Sequence, residues 1–295
     1  MKKMSLLVFS AIMLFVGSEV FAQVVEDTQE DTIYNSFYQP ENVNKARKPF
    51  VYPYVRDADV VWCQRVWRLI DFREKMNQSF YFPRPGDENE VGLQGRANLF
   101  SVIDKALRNG DIVCYEDDEF KKELNYVEFY KTMGTTQTIT NYVTDADGYD
   151  IEVDSTIYAE MNPEDVKRLR LKEDWYVDKQ RSVRDVRIIG FAFEYDRPNP
   201  TGEGTSVIPL GWIRYNDPAV RNLLANAEMY NPRNDAHQIT YDDAFVKRLF
   251  TSYITRTSNM QNRRVGDYLT GLDALFESDA IEEEIFNREQ DMWEY

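Results

Sequence analysis

The sequence is poor in the side chains that usually hold metals, haem or disulfide frameworks. Its 295 residues include one histidine and two cysteines. Most zinc sites, haem sites, iron–sulfur clusters and disulfide scaffolds need several of these side chains, so the inventory argues against all four classes. Basic residues are also outnumbered, with 35 Lys and Arg against 51 Asp and Glu and a net charge of −16. This balance argues against a general nucleic-acid binder, because phosphate recognition needs an excess of positive charge.

Catalytic motifs are equally scarce. The single histidine, His237, lies in a polar segment, and the sequence has no Gly-x-Ser-x-Gly elbow for it to serve. Adjacent carboxylates such as Asp117 and Asp118 are typical of a solvated face, and sequence does not show whether two carboxylates face each other across a cleft. We therefore predict no catalytic residue, no metal ligand and no cofactor-binding residue.

The two cysteines, Cys63 and Cys114, each lie in apolar sequence. An oxidising compartment would allow them to form a disulfide. Buried free cysteine is common in apolar surroundings, so free thiols are the favoured alternative.

Residues 1–22 have the form of an export signal. A basic start precedes an apolar run over 6–17, and Val20 and Ala22 are small enough for the positions before a signal-peptidase site. The run is shorter than the ~20 residues that a membrane-spanning helix needs, and no later segment is apolar enough to span. We expect a mature chain that begins at Gln23 and has no transmembrane segment.

Residues 23–48 show no clear helix or strand period. The segment begins acidic and polar, and Tyr34, Phe37 and Tyr38 follow among Asn, Gln and Pro. Two interpretations fit: a disordered leader, or an extended arm whose aromatic side chains dock on a neighbour. The second makes Tyr34, Phe37 and Tyr38 candidate protein-interaction residues.

The rest of the chain predicts an α+β fold with an N-terminal α/β portion and a helical C-terminal portion. A narrow polar stripe of Gln64, Arg68, Asp71 and Lys75 in otherwise apolar sequence favours a buried helix over 57–77. The α/β core region, 49–216, is predicted to hold this helix, a second helix over 97–108, a hairpin over 136–154, and antiparallel strands over 186–195 and 207–215. The C-terminal region, 217–295, is predicted to hold helices over 219–229 and 240–256 and to be mostly helical from 267.

An acidic helix is predicted at the C-terminus, with Asp279 and Glu282 in capping-box form at its start. Its large apolar side chains are candidate protein-interaction residues: Ile281, Ile285, Phe286, Met292 and Trp293. A helix of ~15 residues is marginal alone in water, so we expect this helix to dock on another surface. The two alternatives are docking on its own domain and docking on another subunit.

Three stretches of this sequence together resemble one family. They are residues 52–77, beginning Tyr-Pro-Tyr-Val-Arg-Asp-Ala-Asp-Val; residues 99–112, containing Leu-Phe and Gly-Asp-Ile; and the ending, with Leu-Asp-Ala-Leu and Glu-Gln-Asp-Met-Trp-Glu-Tyr. They are similar to the GldN/PorN family of the type IX secretion and gliding motility machinery of Bacteroidetes. The resemblance covers the chain from about residue 50 to its end.

The resemblance implies a periplasmic, non-enzymatic protein on the inner face of the outer membrane. Family members form large rings with an outer-membrane lipoprotein of the GldK/PorK type and are thought to meet the periplasmic part of the GldM/PorM motor protein. It implies no cofactor. The residues alone leave an alternative, a monomeric periplasmic enzyme or glycan-binding protein, because 14% of the residues are aromatic. The native mass distinguishes the two, since only the first requires a very large assembly.

Overall fold

The computed structural model describes residues 47–84, 96–127, 130, 135–144, 150–159, 161–198, 205–234 and 236–291. The predicted export signal and residues 23–46 of the predicted arm lie outside these ranges. Within them, none of the helices combines the length and the hydropathy that crossing a bilayer requires.

Strands dominate the described part of the chain. They are β1 (Val60–Asp71), β2 (Cys114–Tyr115), β3 (Glu123–Leu124), β4 (Thr135–Thr144), β5 (Asp150–Ala159), β6 (Val166–Asp178), β7 (Val183–Pro198), β8 (Thr205–Arg214), β9 (Glu228–Met229), β10 (Ile239–Thr240) and β11 (Tyr253–Thr257). Seven of them form one antiparallel sheet in the order β11-β1-β6-β7-β8-β2-β3. The pairs β4–β5 and β9–β10 form two further small sheets.

The helices of the described ranges are α1 (Gln78–Tyr81), α2 (Leu99–Asn109), α3 (Pro218–Asn226), α4 (Tyr241–Val246) and α5 (Leu272–Asp291). Short polar side chains begin three of them. Asn98 accepts a hydrogen bond from the backbone N–H of Ser101, Asp217 caps α3, and Thr240 caps α4. These side chains satisfy amide groups that have no partner inside a helix.

All five helices pack on one face of the seven-stranded sheet. Directly paired residues of antiparallel strands share a face, which places Ile70, Leu169, Phe193 and their neighbours on the helix side. Their large core also contains residues of α1 to α4, and a smaller cluster on the same face contains Ile285 of α5. The paired positions one residue along, such as Trp67 and Lys172, point to the opposite face. The structure confirms the predicted α+β class, in which helices cover one side of an antiparallel sheet.

Several predicted elements are confirmed. Helix α2 ends before Gly110, which has the left-handed φ of 79° that glycine adopts without strain. Strands β4 and β5 pair as the predicted hairpin, and β7 pairs with β8. Residues 145–149, between β4 and β5, lie outside the described ranges.

The predicted helix over 57–77 is wrong, because most of this segment is strand β1. The strand lies between β11 and β6. Its residues 66–70 are all buried, so this half of the strand lacks the alternation that identifies a half-exposed strand. An apolar run of this kind fits a buried helix and a buried strand equally well by period. The β-branched and aromatic side chains, including Val66 and Trp67, decide for the strand.

Two C-terminal boundaries also differ from the prediction. Helix α4 ends at Val246 rather than 256, since Arg248 takes a left-handed φ of 53° and the chain returns as strand β11. The last helix begins at Leu272, which places Asp279 inside it rather than at its start.

Residues 47–55, which we call the strap, are held on the core by a buried ion pair. The Arg221 guanidinium donates to both carboxylate oxygens of Asp242, at 2.7 and 3.1 Å, and to the Phe50 carbonyl at 2.8 Å. Asp242 also accepts from the Phe50 N–H and from the Tyr215 hydroxyl. The Arg221 guanidinium lies 4.9 Å from the ring centroid of Tyr52. One ion pair therefore joins the strap, α3, α4 and the end of β8.

We expect Arg221→Met to destabilise the fold by about 3–5 kcal/mol, because it leaves the Asp242 carboxylate buried without its counter-charge. Urea unfolding gives the change in the free energy of unfolding. The matched control is Arg65→Met, which removes an exposed arginine paired to Asp174 at 2.6 Å and should cost ~0–1 kcal/mol. Equal losses for the two variants would contradict a special role for the buried pair.

Both cysteines are free thiols, with Cys63 exposed and Cys114 buried. Burial raises the pKa of the Cys114 thiol to about 12. We expect iodoacetamide at pH 8 to modify Cys63 alone in the folded protein and both cysteines after unfolding, because the thiolate is the reactive form. Mass spectrometry counts the adducts. A protein that takes no label when unfolded without reductant would instead contain a disulfide.

Candidate functional site: the C-terminal helix and its surroundings

The inner side of α5 packs on its own sheet. Ile285 is 2% exposed and lies in a cluster with Val66, Trp175 and Ile254, and Ile281 packs against the same cluster. Burying an isoleucine of this kind stabilises the fold by ~1.5–3 kcal/mol. The apolar side chains on this side of the helix are therefore used within the chain.

Two polar contacts fix the position of α5. The guanidinium of Arg68, a buried residue of β1, donates to the Glu282 carboxylate at 2.8 Å. The Ser278 hydroxyl, also buried, accepts from the Ile254 N–H of edge strand β11 at 2.7 Å. Because the outer edge of a sheet exposes unpaired amides, this contact also protects that edge.

The outer side of α5 exposes four large apolar side chains, three of them in its first five residues. Leu272 is 70% exposed, Leu275 44%, Phe276 67% and Phe286 48%. Soluble proteins seldom leave several such groups together in water unless they bind something. This side of the helix is therefore the candidate interaction surface.

The predicted interaction residues fall into three groups. Ile281 and Ile285 face the protein's own sheet. Phe286 is half-exposed, with the Arg184 guanidinium 5.7 Å from its ring centroid. The others lie outside the described ranges: Tyr34, Phe37, Tyr38, Met292 and Trp293.

Leu272, Leu275 and Phe276 are absent from the predicted interaction residues because the sequence pattern, although mostly helical from 267, suggested a separate terminal helix starting at Asp279, and only that helix supplied candidates. The available signal was their spacing, since positions i, i+3 and i+4 share one face of a helix. That spacing places the three side chains on one face only if a single helix runs through all three positions, and the structure shows that the last helix begins at Leu272.

Part of the face of the sheet without helices is covered by the segment between β2 and β3. Asp118 of this segment accepts from the Trp67 indole N–H at 2.9 Å and from Arg256 at 3.1 Å. The Arg256 guanidinium stacks 3.5 Å from the Trp67 ring centroid, and Lys172 donates to the Asp118 carbonyl. Burial lowers the pKa values of both Lys172 and Arg256.

A cavity of about 240 Å³ lies beside this cluster, and Trp67, Arg170, Trp212, Arg256 and Arg264 line part of it. Three carboxylates, of Glu116, Asp117 and Asp118, line it as well. The charges compensate one another, so the arrangement forms a polar cover over two tryptophans.

Few groups in the described ranges are arranged for chemistry. His237 is exposed in a loop. The buried Glu173 carboxylate accepts from Arg248 at 2.7 Å and from the Trp175 indole at 3.1 Å, which leaves it engaged in packing the core. The described residues contain no group of three or more His, Cys, Asp or Glu side chains placed to hold a metal.

We expect Ile285→Ala to destabilise the protein by ~2–5 kcal/mol, because it opens a cavity between α5 and the sheet. The matched control is Phe286→Ala at the next, half-exposed position, which should change stability by less than ~1 kcal/mol. Thermal and urea unfolding of the full chain measure both. A larger loss for Phe286→Ala would mean that α5 packs through its other side.

Comparison with known proteins gives one assignment. No curated protein matches the sequence. The family described as gliding motility associated protein GldN matches residues 55–294, which include every strand of the main sheet and all five helices described above. The match confirms the resemblance drawn from the sequence, and it covers far more than half of the chain. This protein therefore belongs to the GldN family.

Proposed function

We propose that this protein is a structural, non-enzymatic subunit of the type IX secretion and gliding motility machinery. In this proposal it is exported to the periplasm and lies on the inner face of the outer membrane. There it forms large rings with a lipoprotein of the GldK/PorK type and contacts a motor protein of the GldM/PorM type.

Membership of a gliding motility family supports this proposal. The observation that carries it is the outer side of α5, where Leu272, Leu275 and Phe276 remain exposed although the helix is firmly docked on its other side. A subunit of an assembly needs such a surface, whereas a monomer gains nothing from placing these groups in water.

The net charge of −16 sets a condition on the assembly. Copies of an acidic subunit repel one another when they lie side by side, and salt screens that repulsion over about 8–10 Å. A partner of opposite charge offsets it directly. We therefore expect the partner surface to be basic.

We expect the tagged full chain, captured from its native bacterium, to bring down an outer-membrane lipoprotein in an assembly far larger than a monomer. Raising the salt concentration should weaken this complex because charge attraction contributes to it. Co-purification and native mass measure the result. A complex that persists unchanged in molar salt would indicate a mainly apolar contact.

The matched control is His237→Ala, which should leave assembly and secretion unchanged because the imidazole is exposed in a loop. A wild-type protein that is monomeric and binds a saccharide would contradict the proposal and favour the enzyme or glycan-binding alternative. Loss of secretion by the His237 variant, with normal protein levels and normal assembly, would also favour the enzyme.

A further inference from the structure

The outer side of α5 combines exposed apolar side chains with carboxylates in a regular pattern. We call the outer stripe the set Leu272, Leu275, Phe276, Asp279, Glu283 and Phe286, all of which are exposed. These positions follow one another at i, i+3, i+4, i+7, i+11 and i+14, so they lie along one face of the helix. At 1.5 Å per residue the stripe is about 21 Å long. Its length and spacing fit the way in which an amphipathic helix binds in a groove.

The charge of the helix restricts what the stripe can bind. Helix α5 contains eight carboxylate side chains and a single arginine, Arg288. Arg288 pairs with Glu284 at 2.7 Å and lies 5.8 Å from the ring centroid of Trp62, towards the inner side of the helix. Asp279 and Glu283 thus lie among the apolar groups of the stripe, and neither carboxylate forms an ion pair with a described residue. The Arg184 guanidinium lies 5.7 Å from the ring centroid of Phe286, at the end of the stripe.

A second α5 helix is a poor partner for the stripe. Two stripes packed against each other would bring the carboxylates of both helices together, and like charges facing each other in an interface are unfavourable. An anionic membrane surface is also unsuitable, because interfacial helices bind such surfaces through Lys and Arg on their polar face. An apolar groove edged by Lys and Arg satisfies both kinds of side chain in the stripe.

We propose that the outer stripe of α5 docks in an apolar groove, edged by lysine and arginine, on a different protein of the same assembly. The proposal rests on the proposed function in assuming that this chain works in a multiprotein assembly. It assigns the contact to the outer side of α5, and leaves the inner side to hold the helix on its own sheet.

The first test places a photo-crosslinking amino acid at Phe276 of the full chain in the native bacterium. The control carries the same amino acid at Tyr54, which is 89% exposed and lies in the strap. We expect an adduct from position 276 to a different protein, through a peptide that contains Lys or Arg near apolar residues, and no such adduct from position 54.

The second test adds Asp279→Lys and Glu283→Lys to the position 276 crosslinker. These two changes should lower the adduct yield by about tenfold or more, because they replace complementary charges with repelling ones. The matched control is Asp273→Lys, an exposed charge reversal on the same helix but off the stripe. It should leave the yield within about twofold of the parent, and circular dichroism shows whether each variant keeps its fold.

Three results would overturn the inference: an adduct to another copy of this chain, an adduct that the double reversal leaves unchanged, or no adduct from position 276. Each result counts against the inference only if the wild-type chain still captures the lipoprotein in the same experiment. In that case the proposed function holds and only the assignment of the contact to the outer stripe fails. Failure of the wild-type chain to capture any partner contradicts the proposed function itself.

Discussion

A sheet with helices on only one face must make its other face compatible with water. In this protein the helix side holds the apolar core, while the opposite side carries Trp67 and Trp212 beneath a layer of paired charges centred on Asp118. Phe120 completes that cover. A Cβ atom at Gly190 would lie 2.4 Å from its ring and 2.8 Å from the Ile213 carbonyl, so only glycine allows this close approach.

Charges are buried on the helix side as well. Arg68, Glu173 and Asp242 are each nearly inaccessible, and each has an oppositely charged partner: Glu282, Arg248 and Arg221. Every one of these pairs joins a segment to the sheet or to a neighbouring helix. An unpaired buried charge costs several kcal/mol, so the pairs favour one arrangement of the helices over others that are equally apolar.

The parts of the fold that sequence predicted are those with local signals. Helix α2 has an asparagine cap at its start and Asn-Gly at its end, and β7 and β8 are apolar runs separated by sequence rich in Pro and Gly. Strand β1 was missed because its burial depends on strands about 100 or more residues away in sequence. For the same reason, no local pattern shows that Arg68 pairs with Glu282 rather than with water. In the candidate site, the sequence predicted Phe286 as a contact residue, but it did not show which apolar side chains lie on the inner side of α5 and which lie on the outer side.

Because the inner side of α5 is docked on the sheet, its outer side is held in a fixed position. An undocked amphipathic helix would lose conformational entropy on binding a partner. Here Ile285, Ser278 and Glu282 hold the helix in place before any partner arrives, so that loss is already offset by contacts within the chain. The outer apolar groups are then presented on a rigid element with fixed spacing. In the proposed contact, the inner contacts of α5 contribute to recognition without touching the partner, because they supply the rigidity of the element that carries the outer apolar groups.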